Sequence, residues 1–263
     1  MKIKKVMMTP ELAKAYLDLN TRNRSISQNH VRFLSREMQA GRWKLNGDTI
    51  CLSKTRLIDG QHRLLAIIDS GMAFPMLVIE ELEDEVFDTK DFGKKRSAAD
   101  VLFIKGETSC TTLAAAAAFV DRYMTGQFEK SKPVYSAVAI EELLEKYGTG
   151  LRKSVNFCRK TGTKKLVGNS IMAGLHYIFS NIDQEQSDFF WTSLIGGDGL
   201  EKTSPVFVLR ERLLSNSMMR HSKLDPKYIA ALCVVAWNHM RSGVSVKYIR
   251  YTETDSQNFP IAR

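Results

Sequence analysis

Residues 56–71 read RLIDGQHRLLAIIDSG. Leu57 and Ile58 have the look of a strand end. Asp59-Gly60-Gln61-His62-Arg63 follows, and apolar residues at helical spacing resume at once with Leu64, Leu65, Ile67 and Ile68. An acid, an amide, an imidazole and a guanidinium therefore fall where a strand becomes a helix. Two readings fit that placement. Either Asp59 caps the helix and His62 and Arg63 sit on its solvated face, or the turn holds a phosphate. The first turn of a helix has N–H groups with no intrahelical partner and a partial positive charge, so it suits either an acidic cap or an anion.

Working outward, the surrounding sequence alternates helices and short strands. TPELAKAYLDL begins with Thr9 as a cap and Pro10 at the first helical position. After the basic loop NTRNRSIS, residues 27–41 carry Val31, Leu34 and Met38 on one helical face and stop at Gly41. DTICLS follows an Asn46-Gly47 turn and reads as a strand. The 56–71 unit comes next, then the strand FPMLVIEEL, the acidic EDEVFDTKD, and a basic FGKKRS before another helix. From about residue 107 helical patterns dominate, through TLAAAAAFVDRYM, SAVAIEELLEKYG, NSIMAGLHYIFSN, QSDFFWTSLIGG, SPVFVLRERLLSN and DPKYIAALCVVAWNHMRSG, with a last strand expected at VKYIRY. The expected fold class is α/β (α+β). A small mixed-sheet domain spans 1–105, and a mainly helical domain with a short C-terminal strand spans 106–263.

The bulk properties narrow the function. Of 263 residues, 44% are apolar and 25% charged, as in a globular protein with a real core. No apolar run approaches the roughly 20 residues that cross a bilayer, and the N-terminus lacks an apolar export segment, so a cytoplasmic protein is expected. Cys51, Cys110, Cys158 and Cys233 are unpaired in spacing and the five histidines are scattered, which disfavours disulfide, zinc and other transition-metal frameworks. His176, His221 and His239 show no recognisable partner and read as surface or satisfied core residues. The net charge of +9, from 38 basic and 29 acidic residues, suits a partner that carries phosphates.

The chemistry of residues 59–63 fits that partner. Gly60 allows close approach of a ligand to backbone. Arg63 offers a planar fork of donors and His62 can give or take a proton. Asp59 repels a phosphate unless a cation lies between, which fits Mg²⁺ or a helix cap. In its strand-to-helix setting LIDGQHRLLA resembles the phosphate-binding motif of the ParB/sulfiredoxin superfamily. GRWKLNGDTICLS upstream, FGKKRSAADVL downstream, LRERLL and the late AWN extend the resemblance to ParB-like proteins of bacteriophages and plasmids.

The resemblance implies that Gly60, His62 and Arg63 hold the phosphates of an NTP (ATP or CTP) with Mg²⁺, and that the loop carrying Arg22 and Arg24 lies beside it. Asp48 and Asp59 are the candidate metal ligands, and Asp59, Gln61 and His62 the candidate catalytic groups. Gln61 stands where sulfiredoxins place their reactive cysteine, so that thiol chemistry is not expected.

Two further basic stretches are candidate DNA contacts. Lys94, Lys95 and Arg96 precede Ser97, a candidate cap, and Lys164 and Lys165 lie in the loop CRKTGTKKLVGN. The expected function is a nucleotide-binding, ParB-like protein acting on or with DNA, a phage or plasmid NTPase in character. The competing readings are a phosphotransferase on a small molecule or modified nucleotide, a DNA nuclease using Asp48, Asp59 and Asp91, and a non-catalytic regulator or inhibitor of a host system. The oligomeric state is open, a homodimer included.

Overall fold

The computed structural model describes residues 1–21, 23, 25–89 (backbone alone at 87–89), 96–128, 134–163, 166–219, 223–252 and 259–263. The chain divides into two compact units, Met1–Lys95 and Arg96–Arg263. A division at residue 105 would put the helix Ala98–Ile104 with the first unit, whereas its contacts place it in the second.

The first unit is built on a four-stranded mixed sheet in the order β1-β4-β2-β3, from β1 (Lys2–Met8), β2 (Thr49–Ser53), β3 (Leu57–Asp59) and β4 (Phe74–Leu82). β1 runs antiparallel to β4, β4 parallel to β2, and β2 antiparallel to β3. Three helices belong to this unit, α1 (Pro10–Leu17), α2 (Gln28–Gln39) and α3 (Gln61–Ser70). Their starts follow the expected chemistry, since Thr9 Oγ1 accepts from Leu12 N–H and the Ser27 side chain accepts from His30 N–H. Leu64 and Ile67 of α3 are fully buried against Ile50, Leu52, Met76 and Val78, and Ile68 packs at the margin of that core.

β1 escapes the sequence reading. Residues 2–8 bury only Met8 fully, so the alternation that marks a half-buried strand is faint. The strand exists through its pairing with β4, along which Lys2 Nζ meets Glu81 at 2.7 Å and Lys4 Nζ meets Glu80 at 2.6 Å.

The second unit contains α4 (Ala98–Ile104), α5 (Cys110–Met124), α6 (Ala137–Thr161), α7 (Asn169–Ser180), α8 (Gln184–Gly196), α9 (Pro205–Met218) and α10 (Pro226–Arg241). Its core stacks Phe179 on Trp237, with ring centroids 4.3 Å apart, and sets Phe190 edge-on to Trp191. Trp237 is fully buried there, as expected of a packing residue. Gly148 takes φ 57° and ψ −147°, which is not helical, so α6 is two helical segments that meet at a kink where the sequence places a helix stop. Arg152 spans the kink by donating to the Gly148 carbonyl (3.2 Å) and to Glu107.

The expected strand at VKYIRY does not form. Residues 246–251 are irregular, with Val246 N–H donating to Thr203 O at 2.9 Å and Ile249 buried. A strand needs a sheet edge to pair with, and among the described residues this helical unit supplies none. Among the described residues no helix is long and apolar enough to cross a membrane.

Candidate functional site

The motif sits where β3 ends and α3 begins. Gly60 is the N-cap residue, at φ 110° and ψ 4°, and it provides no side-chain hydrogen bond to the first turn. A Cβ on Gly60 would lie 2.5 Å from Ile50 Cδ1 and 3.3 Å from Ile50 Cα. The turn therefore lies directly on β2, in a conformation that side chains rarely adopt. Leu64 N–H makes the first intrahelical bond, to the Gly60 carbonyl at 3.0 Å. Asp59 is thus not the helix cap that one reading expected, because the cap position belongs to Gly60 and Asp59 is the last residue of β3.

The carboxylate of Asp59 is directed to Arg63. Arg63 Nη2 donates to Asp59 Oδ2 at 2.9 Å and to the Thr49 carbonyl at 2.6 Å, while Nη1 lies 3.9 Å from Asp48 Oδ2. The guanidinium is thus within 3.9 Å of both acids proposed as metal ligands. Among the described residues no group of three His, Cys, Asp or Glu side chains is arranged to hold a metal. A Mg²⁺ here would have two carboxylates and would draw its other ligands from water and phosphate, the usual manner for this ion. The Arg63 side chain is 17% exposed and His62 is 6% exposed, so neither is a solvated helix-surface residue as the capping reading required.

His62 joins two helix starts. Ser27 N–H donates to His62 Nε2 at 3.0 Å, and Ser27 is itself the cap of α2. Because a backbone N–H can only donate, Nε2 is an acceptor, and the neutral ring carries its proton on Nδ1. The ring of His30 lies edge-on to it at 5.3 Å. Gln61, 4% exposed, accepts from Asn20 Nδ2 at 3.2 Å through Oε1. Asn23 Nδ2 donates to Asn20 Oδ1 at 2.6 Å and to the Leu57 carbonyl at 2.8 Å, and Leu57 N–H donates to the Leu19 carbonyl at 2.9 Å.

The loop between α1 and α2 is therefore sewn to the motif by Asn20, Asn23 and Ser27, residues that flank Arg22 and Arg24. Those two arginines lie outside the described residues. The sequence reading noticed only the loop's arginines. The signal it passed over was the pair of asparagines three apart, residues suited to bonding nearby backbone.

The other candidates are placed less favourably or lie outside the described residues, as Lys94, Lys95, Asp91, Lys164, Lys165 and His221 do. Arg96 is exposed. The α4 start beside it is filled by its own capping box, in which Asp100 N–H donates to Ser97 Oγ at 3.2 Å and Ser97 N–H donates to Asp100 Oδ2 at 2.8 Å. A carboxylate thus already occupies the helix end at which three cations were expected to converge.

Asp48 is 54% exposed and belongs to the Asn46-Gly47 turn, where its N–H donates to Asn46 Oδ1 at 3.0 Å. A separate cleft of 350 Å³ in this unit is lined by Tyr16, Leu52, Glu80 and Glu81. Its carboxylates disfavour a phosphate.

His176 is a satisfied core histidine whose partners come from other helices. Nδ1 lies 2.9 Å from Ser154 Oγ, Nε2 lies 2.7 Å from Asp188 Oδ1, and the ring stacks on Phe157 at 4.1 Å. Burial holds its pKa below the ordinary imidazole value, against the opposing pull of Asp188.

Comparison with known proteins finds no matching family, no matching curated protein and no matching solved structure.

Proposed function

We propose that this chain is a nucleotide-binding, ParB-like protein that acts on or with DNA, with the phosphates of an NTP and its Mg²⁺ held at the start of α3. One observation carries the reading. α3 begins at a left-handed glycine pressed against β2, that N-cap glycine has no side chain with which to cap the first turn, and a polar loop whose sequence has two arginines is bonded to the motif through Asn20, Asn23 and Ser27. The positive end of a ten-residue helix favours an anion there.

Arg63 would act in two ways. Nη2 secures Asp59 and the β2 backbone, while Nη1 lies 3.9 Å from Asp48 and would serve a phosphate that brings Mg²⁺ with it. His62, fixed through Nε2, would position the loop beside the phosphates. The bound metal would supply charge neutralisation between the carboxylates and the phosphate.

A second reading has an observation of its own. The two short bonds of Arg63 are what a structural brace would make, and a brace without a ligand fits a non-catalytic regulator of the same fold.

Melting with and without each NTP and Mg²⁺, in the presence and absence of DNA, separates the two, because a ligand bound to the native state raises Tm. Arg63→Ala is expected to lower nucleotide affinity by about tenfold to a hundredfold, and Arg63→Lys to restore part of it. Equal nucleotide-dependent shifts in wild type and Arg63→Ala, or no shift with any NTP, would leave the brace as the account of this site. Phosphate release in the same samples reports whether the nucleotide is turned over.

A further inference from the structure

The second unit contains a cleft of 240 Å³ that belongs to none of the candidates above. Ser109, Cys110, Thr111 and Thr112 line it from the start of α5, Cys158 and Arg159 from the last turn of α6, and Asn169 from the start of α7. Three hydroxyl residues, two cysteines, an asparagine and an arginine line it beside Val155, and among the described residues no carboxylate does. The nearby acid Glu107 is already bound by Arg152, whose Nε donates to Oε1 at 3.0 Å.

The segment that supplies α6's end and α7 has an unusual charge distribution. From Lys146 to Ile182 there are seven Lys or Arg and no Asp or Glu. This one acid-free run accounts for most of the chain's net charge of +9. The cleft draws Val155, Cys158, Arg159 and Asn169 from this run, and among the described residues Arg159 is the charged group that lines it, which favours an anion.

The two helix starts add directed donors. α5 has 15 residues and α7 has 12, and neither is capped by a side chain. The first intrahelical bonds are Leu113 N–H to Ser109 O and Met172 N–H to Gly168 O. The amides of residues 110–112 and 169–171 thus precede both ladders. Ser109 is a residue type that normally caps, yet it sits at φ 52° and ψ 37°, makes no cap bond to the helix, and lines the cleft.

We propose that this cleft binds a phosphate group, with Arg159 as its charged ligand and the first turns of α5 and α7 and the Ser109, Thr111 and Thr112 hydroxyls as its other donors. Its volume lies below the roughly 300–1,000 Å³ of pockets for drug-sized ligands, so it takes the phosphate and not a whole nucleotide. The phosphate comes either from a small phosphorylated molecule or from a nucleic-acid backbone, and both sources present the same oxygens. The site shares no residue with the start of α3 and stands whether or not a nucleotide binds there.

The test is a titration of the full-length protein with inorganic phosphate at constant ionic strength, read by amide chemical shifts. The amides of 110–112 and 169–171 should move together with one dissociation constant. Arg159→Ala should weaken that binding about tenfold, Arg159→Lys should recover part, and Lys153→Ala, an exposed charge on the same helix outside the lining, should change it less than twofold. Because the readout is local, phosphate binding at α3 leaves it unaffected. Unmoved amides at these six positions overturn the proposal, as does an Arg159→Ala protein, folded by circular dichroism, that binds like wild type. So does equal loss in Lys153→Ala, which would mean diffuse attraction and not a site. A parallel titration with a short DNA duplex identifies the source. A loss of DNA affinity in Arg159→Ala matching the loss for phosphate assigns a backbone phosphate, and unchanged DNA affinity assigns a small phosphorylated ligand.

Discussion

Replacing Gly60 with alanine tests the geometry on which the candidate site depends. The new Cβ carries two separable costs. Holding a side chain at a left-handed φ, here 110°, costs about 1–2 kcal/mol. The contact at 2.5 Å with Ile50 Cδ1, in a side chain that is fully buried, adds an overpacking cost of about 1–3 kcal/mol. Together they predict a loss of about 2–5 kcal/mol, which for a chain of this size lowers Tm by about 4–20 °C. Thermal unfolding by circular dichroism measures it.

The two costs can be separated with Ile50→Val, which removes Cδ1. Alone it should destabilise by about 0.5–1.5 kcal/mol. Beside Gly60→Ala it should relieve the clash, so that the double variant is more stable than the sum of the singles by about 1 kcal/mol. The residue of the loss then belongs to φ and to the 3.3 Å approach to the Ile50 backbone, which no side-chain change relieves. A Gly60→Ala protein within about 0.5 kcal/mol of wild type would refute the placement of this turn against β2. Strict additivity with Ile50→Val would refute the clash.

The remaining predictions concern the second unit and the thiols. Burial depresses the pKa of His176, so the unfolded chain binds more protons than the folded one as pH falls past the ordinary imidazole value. Its contribution to stability is therefore fully present above about pH 6.5 and is lost as pH falls through its lower folded value, and His176→Gln should flatten that part of the stability profile. A slope unchanged by the substitution would show that other groups set it. Among the cysteines, Cys110 is half-buried, whereas Cys51, Cys158 and Cys233 are buried. Burial pushes the Cys158 thiol up to about 11 and raises that of Cys233 as well. Alkylation of the native protein should label Cys110 first and reach the other three only on unfolding, and mass spectrometry that finds Cys233 labelled early would contradict the packing of α10.

Local chemistry written in consecutive residues was legible in the sequence. Thr9-Pro10, Ser27, Ser97, Ser204-Pro205 and Asp225-Pro226 announce helix starts because a cap acts on amides two or three residues away, and each does so in the structure. The helical period of residues 64–68 fixes which face of α3 is buried, and the glycine before it marks the junction. What depends on a partner distant in sequence was not legible. β1 owes its existence to β4 some 70 residues later, and VKYIRY stays irregular because the described residues of its unit offer no strand edge. Asp59 looks like a cap from its neighbours alone, but the side chain is claimed by Arg63, whose own place is fixed by a backbone carbonyl on β2. His176 seems alone in the sequence because Ser154 and Asp188 reach it from helices on either side. The cleft beside Arg159 has no motif at all. Its three walls come from residues near 110, 158 and 169, and only the packing of α5, α6 and α7 sets their donors around one space.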